Sequence, residues 1–155
     1  MNNRGITLMT LVITIIIMII LAGVTITGTY SLIKKSQLEN LKTDMLLIQA
    51  KTKTALEEYN FSKDETKLIG TKLEEADTEK VSKLNKAGIT DISNWYFLSQ
   101  DDLNNINLSD IRAKDGEYYF VKYDKENLVV DILYTEGFVE NGITKFTLTQ
   151  LQNME

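Results

Sequence analysis

No charged residue occurs between Arg4 and Lys34, although charged residues make up 25% of the whole chain. Leu, Ile and Val dominate this uncharged stretch from Leu11 onward. A bilayer core is crossed by roughly 20 apolar residues in a helix, so the stretch predicts a transmembrane helix over residues 6–30. Its β-branched residues favour a strand in water, but in lipid only a helix satisfies the backbone of a lone segment.

The composition excludes several kinds of active site. Cysteine and histidine are absent, which removes disulfides, thiol nucleophiles, Ser–His–Asp triads and His or Cys metal ligands. The net charge of −5 argues against nucleic-acid binding, which needs clustered Lys and Arg. We therefore expect no enzyme, catalytic residue, metal or cofactor; an enzyme of this composition is limited to carboxylate, hydroxyl or amine chemistry.

Past Tyr30 the sequence becomes amphipathic and predicts a stalk helix over residues 31–60. Apolar or small side chains recur there at alternating spacings of three and four, which is typical of one helix face. They are Leu38, Leu41, Met45, Ile48, Thr52, Ala55 and Tyr59. The spacing also fits a coiled coil, but only about three heptads are present. Packing against the protein's own sheet is the favoured interpretation.

After Glu117 the apolar period changes to two. Glu117–Tyr123 and Leu128–Leu133 flank a polar run and predict a β-hairpin. Asn141-Gly142 supplies a second turn before a strand at Ile143–Leu148. The aromatic segment Trp95–Leu98 predicts either a short fourth strand or a buried anchor. An antiparallel sheet of three strands, or four, follows from these signals.

Short helices precede this sheet and complete a soluble α+β head over residues 61–155. Ser62 and Glu65 have the spacing of a capping box, and Ser99 fits the start of another short helix. Between them, a polar helix over Glu79–Ala87 is expected to stop at Gly88. One face of the sheet should then bury against the stalk helix.

The residues before the apolar stretch carry the most specific motif. Arg4-Gly5-Ile6-Thr7-Leu8 resembles the class III signal of type IV prepilins and type II secretion pseudopilins. In that family a membrane peptidase cuts after the glycine and methylates the new N-terminal amine. The resemblance implies a leader at residues 1–5, cleavage between Gly5 and Ile6, and N-methylation of Ile6. Glycine also leaves the peptide bond accessible because it lacks a side chain.

One position departs from the family pattern. The fifth mature residue is usually Glu and is here Thr10. A carboxylate at that depth of a bilayer costs several kcal/mol unless it is paired, and in the family it is thought to pair with the amine of a neighbouring subunit. With Thr10 at this position, there is neither the cost of placing a carboxylate in the bilayer nor the gain from pairing it with the amine of a neighbouring subunit. This assembly position therefore favours a minor or tip subunit, or a pilin-like protein that stays in the membrane, over the abundant subunit. A divergent filament that packs by apolar contact alone is the remaining alternative.

The head resembles that of pilin-like proteins from Gram-positive bacteria, which implies no activity. The sequence runs that carry this resemblance are Tyr96-Phe-Leu-Ser, Asp102-Leu103, Leu108, Asp115-Gly-Glu-Tyr118 and Thr147-Leu148-Thr-Gln-Leu151. Both resemblances together imply a pilin-like α+β fold. In that fold a long N-terminal helix, half transmembrane and half amphipathic, packs on a small antiparallel sheet.

The function that the resemblance implies is a structural subunit of a type IV pilus or type II secretion-like pseudopilus. Its partners would be other pilin or pseudopilin subunits, the prepilin peptidase, an assembly platform protein and membrane lipid. The chain would be a single-pass membrane protein with its head outside the cell. The alternative is an uncleaved membrane-anchored protein whose extracellular head binds a ligand.

Three other candidate sites have ordinary structural explanations. Adjacent carboxylates on a helix do not converge as acid–base pairs must, so Glu57-Glu58 and Glu74-Glu75 predict solvated faces. Acidic side chains near one turn are a weak candidate metal group: Asp110, Asp115 and Glu117. Six strand aromatics form a candidate stacking platform but are more typical of a core: Trp95, Tyr96, Phe97, Tyr118, Tyr119 and Phe120.

Overall fold

The computed structural model describes the backbone of residues 3–154 and the side chains of residues 10–20 and 32–154. The chain divides into two compact units, Met1–Glu39 and Asn40–Glu155. A long helix and an antiparallel sheet are both present, which confirms the predicted α+β class. The predicted boundaries after residues 5, 30 and 60 stay predictions.

Helix α1 runs from Asn3 to Ser62, without a proline to interrupt it. It ends where Lys63 adopts a φ of 57°. The predicted Ser62–Glu65 capping box is wrong, because Asp64 caps the short 3-10 helix Glu65–Lys67 by accepting from the Thr66 N–H. The Ser62 hydroxyl instead donates to the Glu58 carbonyl at 2.8 Å.

The prediction of a single-pass membrane protein with an extracellular head is wrong. A crossing requires roughly 20 apolar residues in one helix. Among the residues that the structure describes, no helix meets that combined requirement of length and apolar character. The membrane-anchored alternative, which rested on the same prediction, is contradicted by the same finding.

Within residues 3–154 the sheet has five strands in the order β1-β2-β3-β4-β5, and every neighbouring pair is antiparallel. The strands are β1 (Thr71–Lys72), β2 (Trp95–Leu98), β3 (Tyr119–Asp124), β4 (Val129–Glu140) and β5 (Ile143–Thr147). The predicted hairpin is confirmed as β3–β4, and the aromatic segment is confirmed as a strand. The prediction missed β1 and the second half of β4.

The described residues also form three short α-helices: α2 (Thr78–Lys86), α3 (Gln100–Asn105) and α4 (Leu148–Gln152). The predicted polar helix corresponds to α2, and Gly88 follows it with a φ of 83°. Ser99 is confirmed as the cap of α3, in a reciprocal capping box with Asp102. The predicted third strand ends one residue early, because Thr147 and Gln150 form a capping box that starts α4.

Alternation along the strands creates two buried sheet faces. Trp95, Phe120 and Leu133 share one face and form a cluster with Leu84 of α2 and Leu73. The opposite face carries another set of buried side chains: Tyr96, Leu98, Tyr119, Val121, Tyr123, Val130 and Ile132. Since helices cover both sides of the sheet, neither face is fully solvated, and buried side chains occur on both faces of β2 and β3.

The stalk part of α1 belongs to this second face. The predicted stripe is largely confirmed, since Met45, Ile48, Thr52 and Ala55 are buried. The Gln49 side chain donates to the Val130 carbonyl of β4 at 2.8 Å. Thr52 satisfies its buried hydroxyl by donating to the Ile48 carbonyl at 2.8 Å. This part of the helix therefore packs on the protein's own sheet.

Candidate functional site

Residues 11–20 of α1 form an apolar helix surface in the first unit. Apart from Thr14, every side chain in this stretch is a large hydrophobe, and its exposed fraction lies between 47% (Val12) and 66% (Ile19). These residues point in all directions around the helix, since each advances by about 100°. Soluble proteins rarely leave so much contiguous apolar surface uncovered. The apolar helix surface is therefore a candidate interaction surface of this unit.

The threonines of this region fit an apolar environment. The Thr14 hydroxyl donates to the Thr10 carbonyl one turn earlier, at 2.7 Å. Such a bond gives the hydroxyl group a hydrogen-bond acceptor within its own helix, so it needs no polar partner outside the helix. Thr10 is itself exposed, so the proposed assembly position lies on the surface at the start of the apolar run.

The remaining proposed site residues lie outside the described side chains. Gly5 and Ile6 fall within the bounds of α1, but their side chains are not among those that the structure describes. Cleavage after Gly5 and N-methylation of Ile6 therefore stay predictions.

Carboxylates in the second unit make structural contacts rather than a metal site. Within the described residues, no group of three or more Asp and Glu side chains is placed to hold a metal ion. Glu117, one of the suggested ligands, accepts a hydrogen bond from the Tyr134 hydroxyl, while Asp110 and Asp115 are exposed. Glu57 and Glu58 are exposed as well, as predicted for a solvated helix face.

The tyrosines around Glu117 are held in their protonated form. The rings of Tyr119 and Tyr134 stack with centroids 4.8 Å apart. Burial raises the pKa of both hydroxyls far above the ordinary value, and the nearby carboxylates of Asp44 and Glu117 raise the pKa of Tyr119 further. A phenol with a raised pKa is a poor nucleophile or base at neutral pH. We therefore interpret Tyr119 and Tyr134 as structural residues.

The six strand aromatics lie in the core rather than on a platform. Trp95, Tyr96, Tyr119 and Phe120 are buried, whereas Phe97 and Tyr118 are half-buried against the α2 side. Neighbouring positions on a strand point to opposite faces, so these rings divide between the two sides of the sheet. A continuous surface for stacked bases or sugars does not result.

The sequence prediction missed an apolar groove at the C-terminal end of α1. The groove has a volume of about 420 Å³. Its lining residues are Thr54, Glu57, Glu58, Phe61, Ser62 and Lys67. Phe61 is 93% exposed, which is unusual for a phenylalanine. The sequence signal for it is the helical spacing of Phe61, seven residues from Thr54 and fourteen from Leu47, but the predicted stalk helix ends at residue 60.

No protein-family model, curated protein or solved structure matches the chain.

Proposed function

We propose that the chain is a pilin-like structural subunit that assembles through its N-terminal helix. The leader Met1–Gly5 is removed by a prepilin peptidase, Ile6 becomes the methylated N-terminal residue, and the helices of like subunits then pack side by side. The product is a type IV pilus or a type II secretion-like pseudopilus, built on an assembly platform protein. The exposed apolar helix surface at residues 11–20 is the observation that carries the proposal.

Lateral packing explains why this surface is apolar on every side. Buried apolar area contributes roughly 25 cal/mol per Å², and large hydrophobic side chains exposed around a helix offer that area to several neighbours at once. A helix that contacts only one partner needs a single apolar stripe. An all-round apolar surface instead suits a helix at the centre of a bundle of identical subunits.

Thr10 favours a minor or tip position in such a bundle. Without a carboxylate at this position, the subunit has no charge to pair with the N-terminal amine of its neighbour. Its packing then depends on apolar contacts, which are non-directional and specify the axial register poorly. A subunit needed at few positions tolerates that loss better than one repeated along the whole filament.

Intact mass spectrometry of protein from the native host tests the processing step. We expect a mass that lacks Met1–Gly5 and carries one methyl group on the Ile6 amine. A Gly5→Val variant, whose side chain obstructs the cleaved bond, should retain the full leader, and so should the unchanged protein in cells that lack the peptidase. Native protein that begins at Met1 or Asn2 would overturn the proposal.

A further inference from the structure

The outward face of α1 in the second unit carries its own apolar stripe. Leu47, Thr54 and Phe61 are seven residues apart, so they align along one side of the helix. All three are exposed, and the exposed fraction of Leu47 is 45%. The Thr54 hydroxyl donates to the Ala50 carbonyl at 3.1 Å, which satisfies that hydroxyl within the helix. This outer stripe, defined by Leu47, Thr54 and Phe61, lies opposite the stripe that packs on the sheet.

Charges are distributed unevenly on the two sides of Thr54. Lys51 and Lys53 precede it, and Glu57 and Glu58 follow it; all four side chains are exposed. Next to Thr54 the outer stripe is therefore flanked by basic residues towards Leu47 and by acidic residues towards Phe61, although Lys67 also lines the groove beside Phe61. Such a surface is complementary to the same surface of a second copy whose helix runs antiparallel to the first.

We propose that a second copy of this chain packs antiparallel on the outer stripe, with a two-fold axis beside Thr54. Leu47 and Phe61 are equidistant from this axis, at about 10 Å along the helix. Leu47 of each copy is thereby placed beside Phe61 of the other. The pairing is isologous and closes at two copies.

The groove beside Phe61 provides the place for Leu47 of the second copy. Its volume of about 420 Å³ has room for a leucine side chain, and Phe61 supplies an apolar wall. Covering these residues removes the exposed phenylalanine from water, which is the favourable term in the association.

The charges fix the direction of the two helices. In the antiparallel arrangement Lys51 lies on the same flank as Glu58 of the second copy, and Lys53 lies near Glu57 of the second copy. An in-register parallel pair would instead place Lys51 against Lys51 and Glu58 against Glu58. Opposite charges beside an apolar seam select the antiparallel pair, as they do between other paired helices.

A charge-swap series tests the pairing by sedimentation of the full chain over a range of concentrations. Lys51→Glu and Glu58→Lys each bring like charges together twice per dimer, and each should weaken dimerisation about tenfold or more. The double variant Lys51→Glu/Glu58→Lys should regain the original affinity. An equimolar mixture of the two single variants should form a heterodimer, because every facing pair is then opposite in charge. Single variants that dimerise like the unchanged chain would overturn the proposal.

A cross-linking experiment tests the axis itself. The chain has no cysteine, so Thr54→Cys introduces a unique thiol next to its own copy. Oxidation should yield a disulfide-linked dimer, and the Lys51→Glu change should suppress it. Asn60→Cys is the matched control, since it lies exposed on the same helix but far from the axis. Equal cross-linking at both positions, or at neither, would overturn the proposal.

These results do not depend on the proposed filament, because the outer stripe shares no residue with the apolar helix surface. A staggered parallel assembly would also bring Lys51 near Glu58 of a neighbour, but it would keep Thr54 away from Thr54. Open-ended growth in sedimentation without a Thr54→Cys cross-link would therefore overturn the closed dimer and leave the filament proposal standing.

Discussion

The Tyr123 hydroxyl forms two hydrogen bonds with the backbone of Ile69. It donates to the Ile69 carbonyl at 2.9 Å and accepts from the Ile69 N–H at 3.1 Å. Tyr123 lies on β3 and is fully buried, whereas Ile69 belongs to the segment between the 3-10 helix and β1. One side chain thus satisfies both polar groups of a backbone unit 54 positions away in the sequence.

Replacing Tyr123 with phenylalanine should destabilise the second unit by about 1–3 kcal/mol, because a buried donor and acceptor lose their partner. The measurement is the free energy of unfolding in urea. Tyr118→Phe is the control, since the Tyr118 hydroxyl bonds the exposed Glu79 carboxylate and should contribute less than about 0.5 kcal/mol. Equal losses for the two variants would contradict this role of the Tyr123 hydroxyl.

Gly137 marks the irregular part of the β4–β5 hairpin, and alanine should not fit there. Its φ is 65°, and an added Cβ would lie 2.5 Å from the Lys145 carbonyl oxygen. Gly142 also has a positive φ but nothing within 4 Å of such a Cβ. Both substitutions carry the strain of a positive φ, about 1 kcal/mol, and Gly137→Ala should cost roughly 1–3 kcal/mol more through the clash. Thermal unfolding of both variants measures that difference, and similar losses would contradict the expected clash.

Periodicity predicted the larger elements because their residues carry repeated signals. The buried stripe Met45–Ala55 and the hairpin β3–β4 each repeat over several residues, and both are confirmed. Strand β1 has only two residues and no period to detect. The extension of β4 beyond Leu133 depends on a register shift before Phe138, which is a tertiary feature that no local pattern specifies.

The sequence did not predict helix α4 or the groove beside Phe61, and the two omissions have different causes. Thr147 and Gln150 have the spacing of a capping box, but Thr147 also lies in the alternating segment Ile143–Leu148, which predicts a strand. Phe61 was predicted to follow the end of the helix, although α1 continues to Ser62. Apolar character at residues 11–20 was readable from the sequence, since it depends on composition alone.

Asp131 should oppose folding at neutral pH. Burial raises its pKa above the ordinary value of 3.8, although the Ile132 N–H and the Thr149 hydroxyl stabilise its ionised form. Because the folded-state pKa is the higher one, the cost of ionisation is fully present above it and disappears below the unfolded value. Asp131→Asn should therefore raise the free energy of unfolding at pH 7 by up to about 1 kcal/mol, since partial exposure screens the charge. The gain should shrink as the pH falls towards 3.8.

Asp124 is the control for Asp131, because its pKa is shifted in the opposite direction. Hydrogen bonds from Asn127 lower its pKa, so its stabilisation is present above the unfolded value and is lost as the pH falls through the folded one. Asp124→Asn should therefore lower the stability at pH 7. Urea unfolding at several pH values measures both variants, and shifts of the same sign would contradict the assigned environments.

The apolar helix surface and the head should respond differently to a new charge. Ile16→Asp places a carboxylate among residues 11–20, and we expect at least a tenfold loss of the protein from sheared filaments, because a buried unpaired charge costs several kcal/mol. Ile143→Asp is the matched control, since Ile143 is a similarly exposed isoleucine on β5. Immunoblots compare filament and whole-cell fractions. Equal incorporation of the two variants would argue against assembly through residues 11–20.

Thr10→Glu restores the carboxylate that the pilin pattern has at this position, and it should increase incorporation into filaments. The new charge is costly in an apolar bundle unless it pairs with the Ile6 amine of a neighbouring subunit, so its cost is relieved only on correct assembly. Thr10→Gln has nearly the same size without the charge and should not show the gain. The ratio of filament to whole-cell protein is compared for the three chains. If Thr10→Glu and Thr10→Gln incorporate equally, the charge at this position does not direct assembly, and Thr10 cannot be the reason for a minor role.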